Sequence, residues 1–364
     1  MFKSFDVNTN DSITKNMFFD EPVAIARYDI QKYRTLESFT ESQLGFFWMP
    51  EEIDVSKDAK DFKALSNHEQ HIFTSNLKRQ IVLDSVQGRC PSAVFGPLAS
   101  LPELENWITT WVFSEQIHSR SYTHIIRNIY SNPSEVFDGI TDIKEITDCA
   151  ESISRHYDNL ARHNEQAAVD SSLFGTYEHK KLLWLALQAT NSLEGLRFYV
   201  SFACSWAFAE TKKSMEGNAK IIKLICRDEN LHLASTVFMI KSLPREDEDF
   251  AKIRDECHDQ CVEIYEQTAE QEKEWAKYLF KDGSMVGLNE SMLCAYIEWL
   301  AHRRMKSVGL TTKYPGGSDP LPWTKKWIAG GNVQVAPQET EISSYTTGGI
   351  SKDVNEEEFT GFQL

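Results

Sequence analysis

The sequence predicts an all-α protein, a helical bundle built as one domain. Three observations carry that prediction. Apolar residues recur at spacings of three and four over most of the 364 residues, strand-like alternation is rare, and Pro and Gly gather between the periodic segments. The chain is long enough to bury a large core.

Helices are expected near residues 34–47 and 66–87. Pro91, Gly96, Pro97 and Pro102 then separate the second helix from a third over 103–130, which Asn132-Pro133 closes. The third helix has a stripe of Trp107, Trp111, Glu115, His118, Tyr122, Ile125 and Ile129, the core face of an amphipathic helix. Helices over 143–167 and 177–208 follow. Within the latter, Phe198 to Ala209 is apolar all round, which marks a central helix. A sixth helix over 215–242 repeats the inward stripe with Ile221, Ile222, Ile225, Glu229 and His232. Two more are expected at 247–277 and 288–307. After about Thr312 the helical period disappears. The polar, acidic end is expected to be a flexible C-terminal tail, tipped by Phe362, Gln363 and Leu364. The expected organisation is an N-terminal extension (1–20), a helical domain (21–312) and an irregular segment with its tail (313–364).

Composition limits the function. Lys plus Arg number 38 against 54 Asp plus Glu, a formal charge of −16, which argues against a general nucleic-acid coat. The longest uncharged apolar run, between Arg197 and Glu210, has 12 residues, too few for a membrane span. The N-terminus has no apolar signal core. The seven cysteines form no Cys-x-x-Cys pair, which suits a reducing compartment, and a cytoplasmic location is expected.

The chemistry is concentrated in six residues. Glu115-x-x-His118 and Glu229-x-x-His232 lie on predicted helices, where a step of three turns the helix by about 300° and rises about 4.5 Å. Both side chains therefore leave one face and can reach one metal ion. Asp84 lies 31 residues before Glu115, and Glu194 lies 35 before Glu229, so a carboxylate followed by Glu-x-x-His occurs twice. A 79-residue span from Glu115 to Glu194 leaves room for a crossover. This is the ligand set of ferritin-like dinuclear carboxylate proteins, with Asp in one place. Four carboxylates and two imidazoles suit two ions of iron or manganese. Buried without metal they would be costly. His68-x-x-His71 and Asp255-x-x-His258 share the spacing but lack companion carboxylates, and read as surface groups. Tyr122 stands one turn beyond His118. Spacing alone leaves it either a packed phenol or a redox group walled by Phe198, Phe202 and Ile225.

From about Glu21 to the end, the sequence resembles the small, radical-generating subunit of class Ia aerobic ribonucleotide reductase. The matching blocks are FFWMPEEIDVSKD (46–58), LDSVQGR (83–89), SEQIHSRSYTHIIRN (114–128), LEGLRFYVSFACS (193–205), MEGNAKIIKLICRDENLH (215–232) and NVQVAPQETEISSY (332–345). The resemblance implies a ferritin-like bundle with two iron ions in its core, manganese being the alternative. Asp84, Glu115 and His118 would hold the first ion. Glu194, Glu229 and His232 would hold the second, with Glu115 and Glu229 bridging. It also implies reaction with O2 to an oxo-bridged centre and a tyrosyl radical on Tyr122. Oxidation would pass through Trp48, Asp228 and Tyr345 to the large catalytic subunit, on which Phe362, Gln363 and Leu364 would dock. A homodimer is implied, with no nucleic-acid or membrane partner. Trp111 is implied as a hydrogen-bond donor to Glu194, beside the reading of an ordinary core tryptophan. Departures fall at Gly45, Cys90, Cys226 and Asn230, and the span from His156 to Lys180 matches poorly. A ferritin-like iron-storage protein explains the six ligands equally well, but not Tyr122, Trp48 or the tail; another di-iron oxidase would need an open substrate pocket.

Overall fold

Long helices form where the 3.6-residue period is strongest, and they place the site. The computed structural model describes residues 12–23 and 25–328. Its helices are α1 (Arg34–Gly45), α2 (Ser56–Ala64), α3 (Asn67–Gln87), α4 (Pro102–Ile129), α5 (Ser134–Asp138), α6 (Lys144–Val169) and α7 (Tyr177–Ser192). They continue as α8 (Tyr199–Lys212), α9 (Glu216–Glu246), α10 (Glu248–Glu256), α11 (His258–Leu279), α12 (Glu290–Ser307) and α13 (Lys325–Ile328). No β-strand forms among the described residues, only isolated bridges such as Phe18 with Ala99. The all-α, ferritin-like prediction stands.

Local chemistry sets the ends that matter. Ser66 and Glu69 form a capping box at the start of α3, with Ser66 N–H donating to Glu69 Oε2 at 3.0 Å. Pro102 opens α4, where its missing N–H costs nothing. The first turn of α9 is capped by another helix: Asp58 of α2 accepts from Asn218 N at 2.6 Å and from Gly217 N at 3.2 Å. A side chain at Gly217 would bring its Cβ to 2.7 Å from Asp54 O, so only glycine permits this approach.

Four differences from expectation have physical causes. The segment expected as one helix over 177–208 is interrupted by a π-helical turn, Leu193–Arg197, between α7 and α8. The helix expected over 247–277 breaks at Cys257 into α10 and α11. Helix α2 was not expected, because SKDAKDFKA is too polar to show a period. Helix α9 runs past its expected end at 242, because Pro244 falls in the last turn and removes only one N–H there.

Helix α3 packs on α4 and α8, and α8 packs on α9. Every α8 residue from Tyr199 to Ala209 is buried, which fits its all-round apolar sequence. Met17 and Phe18, within the segment expected as an N-terminal extension, lie in the core, and Phe19 N–H donates to Leu98 O at 3.0 Å. All seven cysteines are unpaired. Among the described residues no helix is long and apolar enough to cross a membrane. The tail residues Tyr345, Phe362, Gln363 and Leu364 lie outside the described residues.

Candidate metal centre

Four elements bring the six candidate ligands together. Asp84 comes from the last turn of α3, Glu115 and His118 from the middle of α4, Glu194 from the π-helical turn, and Glu229 and His232 from α9. The side chains form two groups, Asp84 with Glu115 and His118, and Glu115 with Glu194, Glu229 and His232. Within each group the ligand atoms lie within 4.8 Å of one another. Glu115 belongs to both. Glu229 also reaches toward the first, with its Oε1 3.1 Å from His118 Nδ1. None of the six is more than 1% exposed.

The inward-facing atoms fit metal better than they fit one another. His232 Nδ1 lies 3.0 Å from both Glu115 Oε1 and Glu229 Oε2. Both oxygens of Asp84, Glu115 Oε2, Glu194 Oε2, Glu229 Oε1 and His118 Nδ1 have no hydrogen-bond partner. Native interiors rarely leave so many buried polar atoms unpaired in one place. The imidazole of His118 is set for coordination from its far side. Its Nε2 donates to Asp228 Oδ2 at 3.2 Å, which turns Nδ1 toward the carboxylates.

Electrostatics show the same strain. Burial, with Glu115 next in importance, holds Asp84 well above the ordinary carboxylate range. Burial and then Glu229 do the same to Glu194. Glu229 is held low despite its burial by the His118 and His232 imidazoles beside it. Burial opposes protonation of His232, but Glu115 and Glu229 raise it to about 9. Charge is therefore shared between acids and imidazoles where divalent ions would displace protons.

Around the cluster, Trp48 Nε1 donates to Asp228 Oδ2 at 2.8 Å, on the oxygen that receives His118. Trp48, Asp228 and His118 thus form a continuous buried line. Tyr122 is fully buried, and its hydroxyl has no hydrogen-bond partner. Burial and then the Asp84 carboxylate hold its phenol well above the ordinary value. Phe198, Phe202 and Ile225 are fully buried, and the two phenylalanine rings stack at 5.7 Å. The expected bond from Trp111 to Glu194 is corrected: Trp111 Nε1 donates to Glu115 Oε1 at 3.0 Å. The two stand one turn apart on α4, and the local pairing takes the indole N–H.

Glu194 Oε1 instead accepts from Gln87 Nε2 at 2.6 Å. Gln87 was missed, although Asp84-x-x-Gln87 has the same-face spacing that pointed to the ligands. Of the other histidine pairs, His68 and His71 bond to the backbone oxygens of Ser284 and Tyr278, and Asp255 is exposed. Neither pair joins a metal-capable group.

A helical bundle that delivers carboxylates and imidazoles from four elements into its core is the ferritin-like dinuclear class. The sequence signature "Ribonucleotide reductase, small chain" matches residues 27–320. The chain is 50% identical to the ribonucleoside-diphosphate reductase 1 subunit beta of Escherichia coli O157:H7, over 100% of both chains. Its fold is similar to the ribonucleotide reductase R2 subunit from Clostridium botulinum, with TM-score 0.79 and 22% identity over 90% of this chain and 98% of that one. It is also similar to the dimanganese(II)-NrdF of Streptococcus sanguinis, with TM-score 0.67 and 20% identity over 85% of this chain and 100% of that one. The chain belongs to the ribonucleotide reductase small-chain family and is the small subunit of a ribonucleoside-diphosphate reductase.

Proposed function

We propose that this small subunit generates and stores an oxidising equivalent at Tyr122 and passes it to a large catalytic subunit, which reduces ribonucleotides to deoxyribonucleotides. The supporting observation is a fully buried phenol beside Asp84, at the edge of a cluster whose inward atoms lack partners. Asp84, Glu115 and His118 would hold one ion, and Glu194, Glu229 and His232 the other, with Glu115 and Glu229 within reach of both. A redox-active pair bound there would supply, with O2, the one-electron oxidising power the reaction needs. Iron is the metal proposed, and manganese is the alternative.

The protein's own part is to control one electron and one proton. The proton leaving the Tyr122 hydroxyl has the Asp84 carboxylate beside it. Phe198, Phe202 and Ile225 keep water from the phenol, which lengthens the life of a radical. Trp48 reaches the centre through Asp228 and His118, and each link is a hydrogen bond of 3.2 Å or less. Tyr345 carries the oxidation onward, and the tail ending in Phe362, Gln363 and Leu364 docks on the large subunit. The working form is a cytoplasmic homodimer, with residues 21–312 as its helical domain.

The test is electron paramagnetic resonance on metal-free protein loaded with ferrous iron and then exposed to O2. A tyrosyl doublet is expected in the wild type and none in Tyr122→Phe, which should bind metal normally. Iron uptake and O2 consumption with no doublet would overturn the radical assignment.

A further inference from the structure

Glu194 is held differently from the other carboxylates of the centre. Its Oε1 accepts from Gln87 Nε2 at 2.6 Å, while its Oε2 has no hydrogen-bond partner and belongs to the metal-capable group. Gln87 is itself fixed, because its Oε1 accepts from the Tyr157 hydroxyl at 2.7 Å. An amide turned the other way would set its carbonyl against the carboxylate, so the phenol selects the orientation that donates to Glu194. The Tyr157 oxygen also lies 2.8 Å from Thr190 Oγ1. Thr190 Oγ1 donates its one proton to Ala186 O at 2.8 Å, so the donor line that ends on Glu194 starts at Tyr157 and runs through Gln87.

All four residues are buried, none more than 1% exposed. Tyr157 lies on α6, a helix that contributes no candidate ligand, and Thr190 lies on α7, one turn before Glu194. Neither residue is needed to explain packing alone: a phenylalanine and a valine would fill the same space without leaving buried hydroxyls to satisfy.

We infer that Gln87 and Tyr157 are positioning residues for the metal centre, which tie up one oxygen of Glu194 and present the other to the second ion. The inference rests on the dinuclear reading above. It makes α6 part of the site although it holds no ligand, and partners of this kind tune metal affinity and orientation.

The experiment compares the full chain with Tyr157→Phe, Gln87→Met, Thr190→Ser and Glu194→Ala. Each is stripped of metal, checked for melting temperature, and titrated with Mn(II) and, without oxygen, with Fe(II). Electron paramagnetic resonance of the Mn(II)-loaded proteins reports the coordination. Gln87→Met is expected to weaken the second ion about 10- to 100-fold. Tyr157→Phe should weaken it about 3- to 10-fold, as expected for one lost hydrogen bond, and shift the Mn(II) spectrum. Thr190→Ser, which keeps the hydroxyl, should behave as wild type. If Tyr157→Phe and Gln87→Met bind both ions with wild-type affinity and spectrum while Glu194→Ala loses one, the inference falls and the dinuclear reading stands. If Glu194→Ala also keeps both ions, the dinuclear reading itself falls. Should Gln87→Met fail to fold, Tyr157→Phe decides alone, since it removes one oxygen atom. A loss of melting temperature in Tyr157→Phe with unchanged metal binding would mean a purely structural role and overturn the inference.

Discussion

At the metal centre, four carboxylates face two imidazoles and leave six inward atoms unpaired. On the same elements, Arg79, five residues before Asp84, and Arg197, three after Glu194, converge on Glu272 of α11. Both regions are fully buried and both are charged, yet only one calls for an ion. Arg79 pairs with Glu272 and lies over the Trp275 ring at 4.7 Å. Arg197 donates to Cys149 Sγ at 3.0 Å and to Ser152 Oγ at 2.9 Å. There a carboxylate faces guanidinium groups of the opposite charge, although Arg79 Nε and Nη1, Arg197 Nε and Glu272 Oε2 also lack hydrogen-bond partners. At the centre four carboxylates converge on one another with only two imidazoles between them. Burial of charge, even with unpaired atoms, is therefore a weak sign of function by itself; convergence of like charge is a strong one.

The contrast can be broken by mutation. Glu229→Ala should have the largest effect, because Glu229 is shared between the two groups. Bound metal should fall below two ions per chain and turnover should vanish. Two ions measured by elemental analysis would remove Glu229 from the ligand set. Glu272→Ala comes next. It strands two buried guanidinium groups and should cost about 3–5 kcal/mol in urea unfolding, with metal stoichiometry unchanged. A variant that lost metal as well would show that the two regions are not independent.

A third buried carboxylate sharpens the comparison, since Asp58 faces neither metal nor an arginine but the first turn of α9. Burial pushes it up to about 6, against the pull of the Asn218 and Gly217 N–H groups; Asp61 adds to the rise and Lys57 opposes it. The folded state thus holds the Asp58 proton more tightly than the unfolded chain does. Its stabilising contribution is full below the unfolded value of about 3.9, and is lost as pH rises through about 6. Asp58→Asn should remove up to about 1.4 kcal/mol per pH unit from the slope of stability in that window. Parallel slopes in the two proteins would refute the assignment. The smallest effect has the opposite sign. Asp84→Asn should stabilise the metal-free chain by about 1 kcal/mol, because it removes an acid whose ionisation the folded state opposes, while weakening the first ion. Destabilisation in urea with a chelator present would place Asp84 with the oppositely paired charges instead.

Sequence made the ligands visible because helices convert spacing into direction. Two Glu-x-x-His pairs with carboxylates 31 and 35 residues ahead of them were enough to single out one cluster. Trp48 and Asp228 were reached only through resemblance, since their contact spans 180 residues and no local period encodes it. Tyr157 left no mark beyond an apolar stripe, and its partners Gln87 and Thr190 lie 70 and 33 residues away. Trp111 was paired with the wrong glutamate because a neighbour one turn away competes with a distant one. The break between α7 and α8 was hidden for a different reason. A segment that is apolar on every side has no face, so it gives no sign of a change in rotation.

That break has a consequence for how the protein can vary. A π-helical turn amounts to one extra residue in an otherwise regular helix, so the two flanking halves are out of phase by about 100°. Deleting one residue of Leu193–Arg197 would close the bulge into regular helix with the flanking halves near their present places, and would lose the widened turn that carries Glu194 to the centre. The stretch is therefore constrained in length by the reach of Glu194, and in residue type at Glu194 and at Gly195, where a Cβ would meet Arg304 and Leu233 at 3.1 Å.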